Sequence, residues 1–93
     1  MSTAVTVNET ARKLEDFGLE ILIEGNEILI PAIVDHVSVA YGDLQMKQGS
    51  YEITYINASK RLHIYDDNGN SLEIYLPKKA TLGYYKGYFW IQF

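Results

Sequence analysis

Few side chains in this sequence could support catalysis. The chain has no cysteine, and its two histidines are His36 and His63. In the antiparallel register that the alternation of apolar residues predicts, His63 lies between Thr54 and Glu73, and an imidazole beside a carboxylate can act as a general base. The sequence predicts no nucleophile with an oxyanion donor beside this pair. We interpret the pair as a polar cross-strand contact worth on the order of a few tenths of a kcal/mol, and we predict that the protein is not an enzyme.

The segment DDNGN has the alternating oxygen ligands of an EF-hand calcium loop, in Asp66, Asn68 and Asn70. Such a loop has glycine at its sixth position and glutamate at its twelfth, where this chain has Ser71 and Pro77. Strands rather than helices are predicted on both sides of the segment. The sequence therefore predicts a hairpin turn here, with no metal site and no cofactor.

The last eight residues, KGYFWIQF, have the spacing of a nucleic-acid-binding strand. They resemble the aromatic signature of RRM-type RNA-binding domains at seven of eight positions, the exception being Phe89. In that family the alternate rings point outward and stack on bases, as Tyr88 and Trp90 would here. The resemblance implies single-stranded nucleic-acid binding as an alternative function, with these candidate residues: Lys78, Lys79, Tyr85, Lys86, Tyr88 and Trp90.

The same rings also suit a protein interface, because tyrosine, tryptophan and arginine dominate interface hot spots. We expect a small protein-binding module, an inhibitor or an adaptor, of a type known by class analogy from phages and mobile elements. The unpaired edge of its sheet could also accept a second copy of the chain. The candidate residues for protein binding are Arg61, His63, Tyr65, Tyr75, Tyr85, Tyr88 and Trp90.

Length and charge limit the other possibilities. The 93 residues predict one globular domain over 1–93, with residues 1–5 as candidates for disorder. The net charge is −4, and residues 1–35 carry seven acids against two bases. From Lys78 onward there are three lysines and no acid. An anionic partner would therefore have to approach the C-terminal segment against a repulsive N-terminal half.

The distribution of apolar residues predicts that the protein has no membrane partner. The longest apolar run, residues 28–34, has seven residues and contains Pro31, whereas a membrane helix needs about 20. No basic and apolar leader precedes it. We therefore expect a cytoplasmic protein, and the absence of cysteine fits that compartment.

The first predicted element is a helix over residues 7–17, in which Val7, Ala11, Leu14 and Phe17 recur on one face. Thr6 and Glu9 have the spacing of a capping box, and Gly18 follows at the position of a left-handed cap. Such a helix needs a sheet to cover its narrow apolar stripe.

Two hairpins can be assigned a register from alternation alone. Gly25-Asn26 suits a type II′ turn that sets Ile23 against Ile28, Ile21 against Ile30, and Glu24 against Glu27. Pro31 then interrupts the ladder, so residues 32–41 are either a bent continuation or a new strand, with the Asp35-His36 pair at a strand end or bend.

The second hairpin keeps its apolar residues on one face only with a three-residue loop, residues 67–69. This loop sets Ile64 against Leu72 and Leu62 against Ile74, and the preceding loop sets Ile53 against Ile64. The predicted core face is Tyr51, Ile53, Tyr55, Leu62, Ile64, Leu72, Ile74 and Leu76.

A last turn at Lys86-Gly87 sets Gly83 opposite Trp90, whose ring can fill the gap over a facing glycine. It also predicts that Phe89, Ile91 and Phe93 are core residues. The predicted fold class is α+β, with one short N-terminal helix packed on an antiparallel, mostly meandering sheet of five to seven strands.

Overall fold

The computed structural model describes the backbone of residues 3–38 and 42–93 and the side chains of residues 6–35 and 42–93. One helix and nine strands form in this part of the chain. They are α1 (Thr3–Phe17), β1 (Leu22–Glu24), β2 (Glu27–Pro31), β3 (Ile33–Ser38), β4 (Asp43–Gln48), β5 (Tyr51–Ile56), β6 (Arg61–Tyr65), β7 (Ser71–Tyr75), β8 (Thr81–Tyr85) and β9 (Tyr88–Gln92).

The fold class is α+β, as predicted, and every described strand pair is antiparallel. The strands form two sheets, with the orders β1-β2-β9-β8 and β3-β4-β5-β6-β7, in place of one sheet of five to seven strands. The larger sheet is a simple meander. In the smaller sheet β2 pairs with β9, which joins two distant parts of the chain.

The chain divides into two compact units. One comprises the residues up to Pro31 together with Lys79–Phe93, and it contains α1 and the four-stranded sheet. The other, Ala32–Lys78, contains the five-stranded sheet. These are units of packing, and the single domain over residues 1–93 stays a prediction.

Helix α1 begins at Thr3, earlier than predicted, because neither Ala4 nor Val5 breaks a helix. Thr6 therefore lies inside the helix, and the predicted capping box is wrong. Residues 3–5, predicted as candidates for disorder, are helical, and residues 1–2 lie outside the described residues.

The end of α1 is as predicted. Gly18 has φ of 116°, and its N–H donates to the carbonyl of Glu15 at 3.0 Å. The N–H of Leu19 donates to the carbonyl of Leu14 at 3.1 Å. These two bonds form a Schellman motif, which satisfies carbonyls that the helix leaves open.

The core of the first unit contains one face of α1 and one face of the four-stranded sheet. Helix α1 contacts β2, and its apolar stripe is buried except for the half-buried Phe17. The fully buried sheet residues are Ile28, Ile30, Phe89 and Ile91. Phe93, predicted as core, is only half-buried, because it lies at the end of the sheet, one residue beyond β9, where its N–H donates to the carbonyl of Asn26 in the β1–β2 turn at 2.9 Å.

The predicted hairpin registers are confirmed for every predicted pair except Ile21 with Ile30. Ile23 pairs with Ile28 across a turn in which Gly25 has φ of 59°. Ile21 precedes β1, so the predicted pair with Ile30 is outside the ladder. Ile64 pairs with Leu72, and a bond of 3.0 Å from the Asp66 N–H to the Asn70 carbonyl closes the three-residue loop.

In the second unit, the predicted core face is buried except for Tyr51 and Leu72, which are half-buried. It also includes Met46 of β4, a strand that the sequence did not predict. After Pro31 the chain starts the new strand β3, whose ladder shifts register between Val34 and His36. The prediction for residues 39–41 lies outside the described residues.

Candidate functional site

The predicted binding residues lie on two different sheets. Tyr85, Tyr88 and Trp90 belong to the four-stranded sheet of the first unit. The other candidates for protein binding, Arg61, His63, Tyr65 and Tyr75, belong to the five-stranded sheet of the second unit. The candidates therefore form two aromatic surfaces, one on each sheet.

The first surface lies on the side of the four-stranded sheet opposite its buried core. Since Phe89 and Ile91 are fully buried, the alternating residues of β9 face the other way. Cross-strand pairing brings their neighbours from β1, β2 and β8 onto the same side. We call this surface the Trp90 face, and its members are Leu22, Glu24, Glu27, Leu29, Pro31, Thr81, Gly83, Tyr85, Tyr88, Trp90 and Gln92.

The register arranges the Trp90 face in three rows across the strands. The central row is apolar, because Leu22 pairs with Leu29 and Leu29 pairs with Trp90, which pairs in turn with Gly83. One flanking row consists of Pro31, Tyr88 and Tyr85. The other flanking row is polar and consists of Glu24, Glu27, Gln92 and Thr81.

Trp90 fills the space over Gly83, as the sequence predicts. A β-carbon added to Gly83 would lie 2.6 Å from Cε2 and 2.8 Å from Nε1 of the indole, and it would also meet Cζ2. Because β-carbons do not come so close to a ring, only glycine permits this position of the indole. Glycine at position 83 thus lets the tryptophan pack on the sheet while remaining half-buried.

Part of the apolar and aromatic rows of the Trp90 face is open to solvent. Tyr85 is 63% exposed, Leu22 48% and Tyr88 38%. A depression of about 540 Å³ lies on this face, and its lining combines apolar, aromatic, charged and polar side chains: Glu27, Leu29, Tyr85, Lys86, Tyr88, Trp90 and Gln92. Exposed apolar patches of this kind typically mark interaction sites.

Charges on the Trp90 face are separated along the strand direction. Glu24 and Glu27 are directly paired at one end. At the other end, Nζ of Lys86 lies 5.2 Å from the centre of the Tyr85 ring, within the range of a cation–π interaction. Among the residues that the structure describes, no cation lies within ion-pair distance of Glu24 or Glu27.

The second aromatic surface, on the five-stranded sheet, is linked by polar contacts. Nε of Arg61 lies 2.8 Å from Oε2 of Glu73. A terminal nitrogen of Arg61 lies 2.6 Å from Nδ1 of His63, and the Tyr65 hydroxyl lies 3.0 Å from the same Nδ1. The rings of His63 and Tyr65 are 4.2 Å apart between centres. These side chains satisfy much of one another's bonding capacity.

This network changes the predicted role of His63. The residue lies between Thr54 and Glu73 as expected, but the carboxylate of Glu73 binds Arg61 instead of the imidazole. Because a guanidinium can only donate, Nδ1 of His63 accepts and the ring proton is assigned to Nε2. Nε of Arg61 is buried, and its 2.8 Å contact with Oε2 of Glu73 is an ion pair that lacks hydrogen-bond geometry, so this nitrogen has no hydrogen-bond acceptor among the described residues.

The lysines of the predicted nucleic-acid site belong to both units. Lys78 ends the second unit, whereas Lys79 begins the C-terminal part of the first. The carbonyl of Lys78 accepts a bond of 2.9 Å from Nζ of Lys60. Lys86 occupies the β8–β9 turn with φ of 49°. Of the three lysines, we assign only Lys86 to the surroundings of the Trp90 face.

The DDNGN segment forms the predicted turn. One oxygen of Asp66 accepts from the N–H groups of Asn68 and Asn70, at 2.9 and 2.8 Å, and the other accepts from the Asn70 side-chain amide at 2.8 Å. These bonds, that from the Asn70 side chain above all, lower the pKa of Asp66. In the part of the chain that the structure describes, no three acidic or histidine side chains are grouped to hold a metal ion.

Leu22, Leu29, Pro31 and the two glutamates are members of the Trp90 face that were not among the predicted site residues. Alternation in the first hairpin does set Leu22 and Leu29 on one side with the glutamates. The missing information is the pairing of β2 with β9, which no turn signal in the sequence indicates.

No family model, curated protein or solved structure matches this chain. Within the described residues, no helix is both long and apolar enough to span a bilayer.

Proposed function

We propose that the protein is a non-catalytic protein-recognition module that binds its partner through the Trp90 face, as an inhibitor or an adaptor does. The observation that carries the proposal is the apolar row of Leu22, Leu29 and Trp90, in which Leu22 is exposed and the other two are only half-buried although the row runs across three strands. Rigid aromatic anchors in a shallow depression are typical of interface hot spots.

The choice between the two aromatic surfaces depends on their internal contacts. Arg61 on the five-stranded sheet is already engaged by a hydrogen bond to His63 and by an ion pair with Glu73, so a partner would have to compete with those contacts. A partner that covers the apolar row of the Trp90 face removes these side chains from water, and this removal stabilises the complex. This difference favours the Trp90 face.

Single-stranded nucleic-acid binding is the second candidate function. It is supported by the position of Tyr88 and Trp90, which share one face of β9 as base-stacking requires. Glu24 and Glu27 lie on that same face and would repel phosphates. We therefore rank this function second.

The proposal can be tested with two double variants matched in residue type and exposure. Tyr85→Ala with Tyr88→Ala removes rings that are 63% and 38% exposed from the Trp90 face. Tyr75→Ala with Tyr65→Ala removes rings that are 64% and 40% exposed from the five-stranded sheet. Each protein is immobilised and used to capture partners from an extract of the source cells.

We expect the Tyr85/Tyr88 variant to lose a partner that the wild type and the Tyr75/Tyr65 variant both retain. Loss of the partner by the Tyr75/Tyr65 variant alone would place the binding site on the five-stranded sheet. Retention of the partner by both variants would refute the proposed use of these rings.

The cytoplasmic location predicted from the sequence remains a prediction, which cell fractionation tests.

A further inference from the structure

We infer that the Trp90 face binds an extended, proline-rich peptide segment with a basic residue at one end. This partner class rests on the proposed function and makes it more specific. It follows from the size of the face, from the position of the rings on a sheet surface instead of a sheet edge, and from the separation of the charges.

The size of the face favours a short segment over a second copy of the chain. Four strands spaced about 4.8 Å apart, with about five residues of 3.3 Å each, give a surface of roughly 300 Å². Two such faces would bury roughly 600 Å², about half of what a stable interface needs. A peptide of six to eight residues, in contrast, can contact this surface along its whole length.

The side chains of the face favour proline. A segment that lies on a sheet surface cannot pair with the sheet backbone, because those hydrogen bonds lie in the plane of the sheet. An ordinary extended peptide would therefore leave N–H groups against Trp90 and Leu29 without partners, which is costly. Proline has no N–H, and its polyproline II conformation needs no internal hydrogen bonds. Grooves lined with tyrosine and tryptophan are the usual receptors for such segments.

The charges favour a basic residue and give the segment a direction. Glu24 and Glu27 are adjacent on β1 and β2, so that one guanidinium can reach both carboxylates. Tyr85 lies three strands and four residues away, which corresponds to about 20 Å. A polyproline II segment rises about 3.1 Å per residue, so about six residues span the diagonal. An arginine over the glutamates would thus place prolines over Trp90 and Tyr88.

The test uses synthetic peptides and Trp90 emission, since this is the single tryptophan of the chain. The first peptide has arginine followed by proline, leucine, proline, proline, leucine and proline, and it is also made in reverse order. In the second, glutamate replaces arginine. In the third, alanine replaces every proline and the arginine is kept. The amide spectrum of labelled protein reports where each peptide binds.

We expect the first peptide, in one of its two orders, to bind at least tenfold more tightly than the second and third, with shifts at Leu29, Tyr88 and Trp90. The Tyr85/Tyr88 double variant should weaken this binding at least tenfold, and the matched Tyr75/Tyr65 variant should not. Glu24→Gln with Glu27→Gln should remove the preference for arginine over glutamate.

Equal binding of the alanine peptide would overturn the preference for proline and leave protein recognition intact. No peptide binding, with extract capture that still depends on Tyr85 and Tyr88, would likewise overturn the inference and leave protein recognition intact. If neither peptide binding nor extract capture depends on these rings, both the inference and the proposed function are wrong. A response to oligothymidylate that fades with added salt, without a response to peptide, would favour nucleic acid instead.

Discussion

Replacement of Gly83 by alanine is the sharpest structural test of the Trp90 face. The new β-carbon would lie 2.6 to 2.8 Å from Cε2 and Nε1 of Trp90, where ordinary contacts are about 3.5 to 4.0 Å. The indole must therefore move by about 1 Å or turn out into solvent. An extra methyl group in a packed site costs about 1–3 kcal/mol, and the half-buried position of the ring makes the lower half of that range appropriate.

An opposing term comes from the unfolded chain. A glycine-to-alanine change at a compatible backbone position stabilises by about 0.4–1 kcal/mol, because it reduces the freedom of the unfolded state. Gly83 does not have positive φ, so this gain applies in full. The net expectation is a loss of about 1 kcal/mol in the free energy of unfolding, or about 4–8 °C in Tm.

The assay is urea and thermal unfolding followed by circular dichroism, together with the emission maximum of Trp90. We expect the variant to unfold earlier and its emission to shift to longer wavelength. In a Trp90→Leu background, Gly83→Ala should be neutral or stabilising, because the clash is gone. A Gly83→Ala protein as stable as the wild type, with unchanged emission, would refute the placement of the indole over Gly83.

Three further predictions concern the turns and one buried tyrosine. Lys86→Asn should raise the free energy of unfolding by about 0.5–1 kcal/mol in urea titrations, because asparagine tolerates the positive φ at this turn better than lysine; a decrease would contradict it. Asp66 has a lowered pKa through its bonds to Asn70, so its contribution to stability is present above the unfolded pKa of 3.8 and is lost as the pH falls through the folded value. Asp66→Asn should flatten Tm between pH 5 and 2, and an unchanged slope would count against these bonds. Burial, and then the charge of Asp43, raise the pKa of Tyr55, so stability should fall as the pH rises above 10 through the folded value; Tyr55→Phe should remove part of that fall, and an identical alkaline Tm profile would exclude the effect.

The parts of the fold that depend on segments adjacent in the sequence could be predicted from it. The hairpins that were predicted carry their own register signal, because a one-residue slip would turn residues such as Ile64 and Leu72 away from each other. The pairing of Gly83 with Trp90 could likewise be predicted, from the turn at Lys86-Gly87. Local turn chemistry and alternation were sufficient in these cases.

The division into two sheets could not be predicted in this way. The pairing of Ile28 with Ile91 joins residues far apart in sequence, and alternation does not specify which strands of matching apolar character become neighbours. Strand β4 was not predicted, because Met46 is its one buried apolar residue and its polar neighbours leave no alternating apolar pattern. The Trp90 face depends on the β2–β9 pairing, so only its C-terminal half was found in advance.

Recognition of a protein by the Trp90 face is best tested by partner capture with the matched tyrosine variants. Quantitative mass spectrometry of partners captured from source-cell extract compares the wild type, Tyr85→Ala with Tyr88→Ala, and Tyr75→Ala with Tyr65→Ala. We expect a partner that is depleted at least tenfold in the first variant and retained in the second. Undiminished capture by the Tyr85/Tyr88 variant, shown to be folded by circular dichroism, would contradict it.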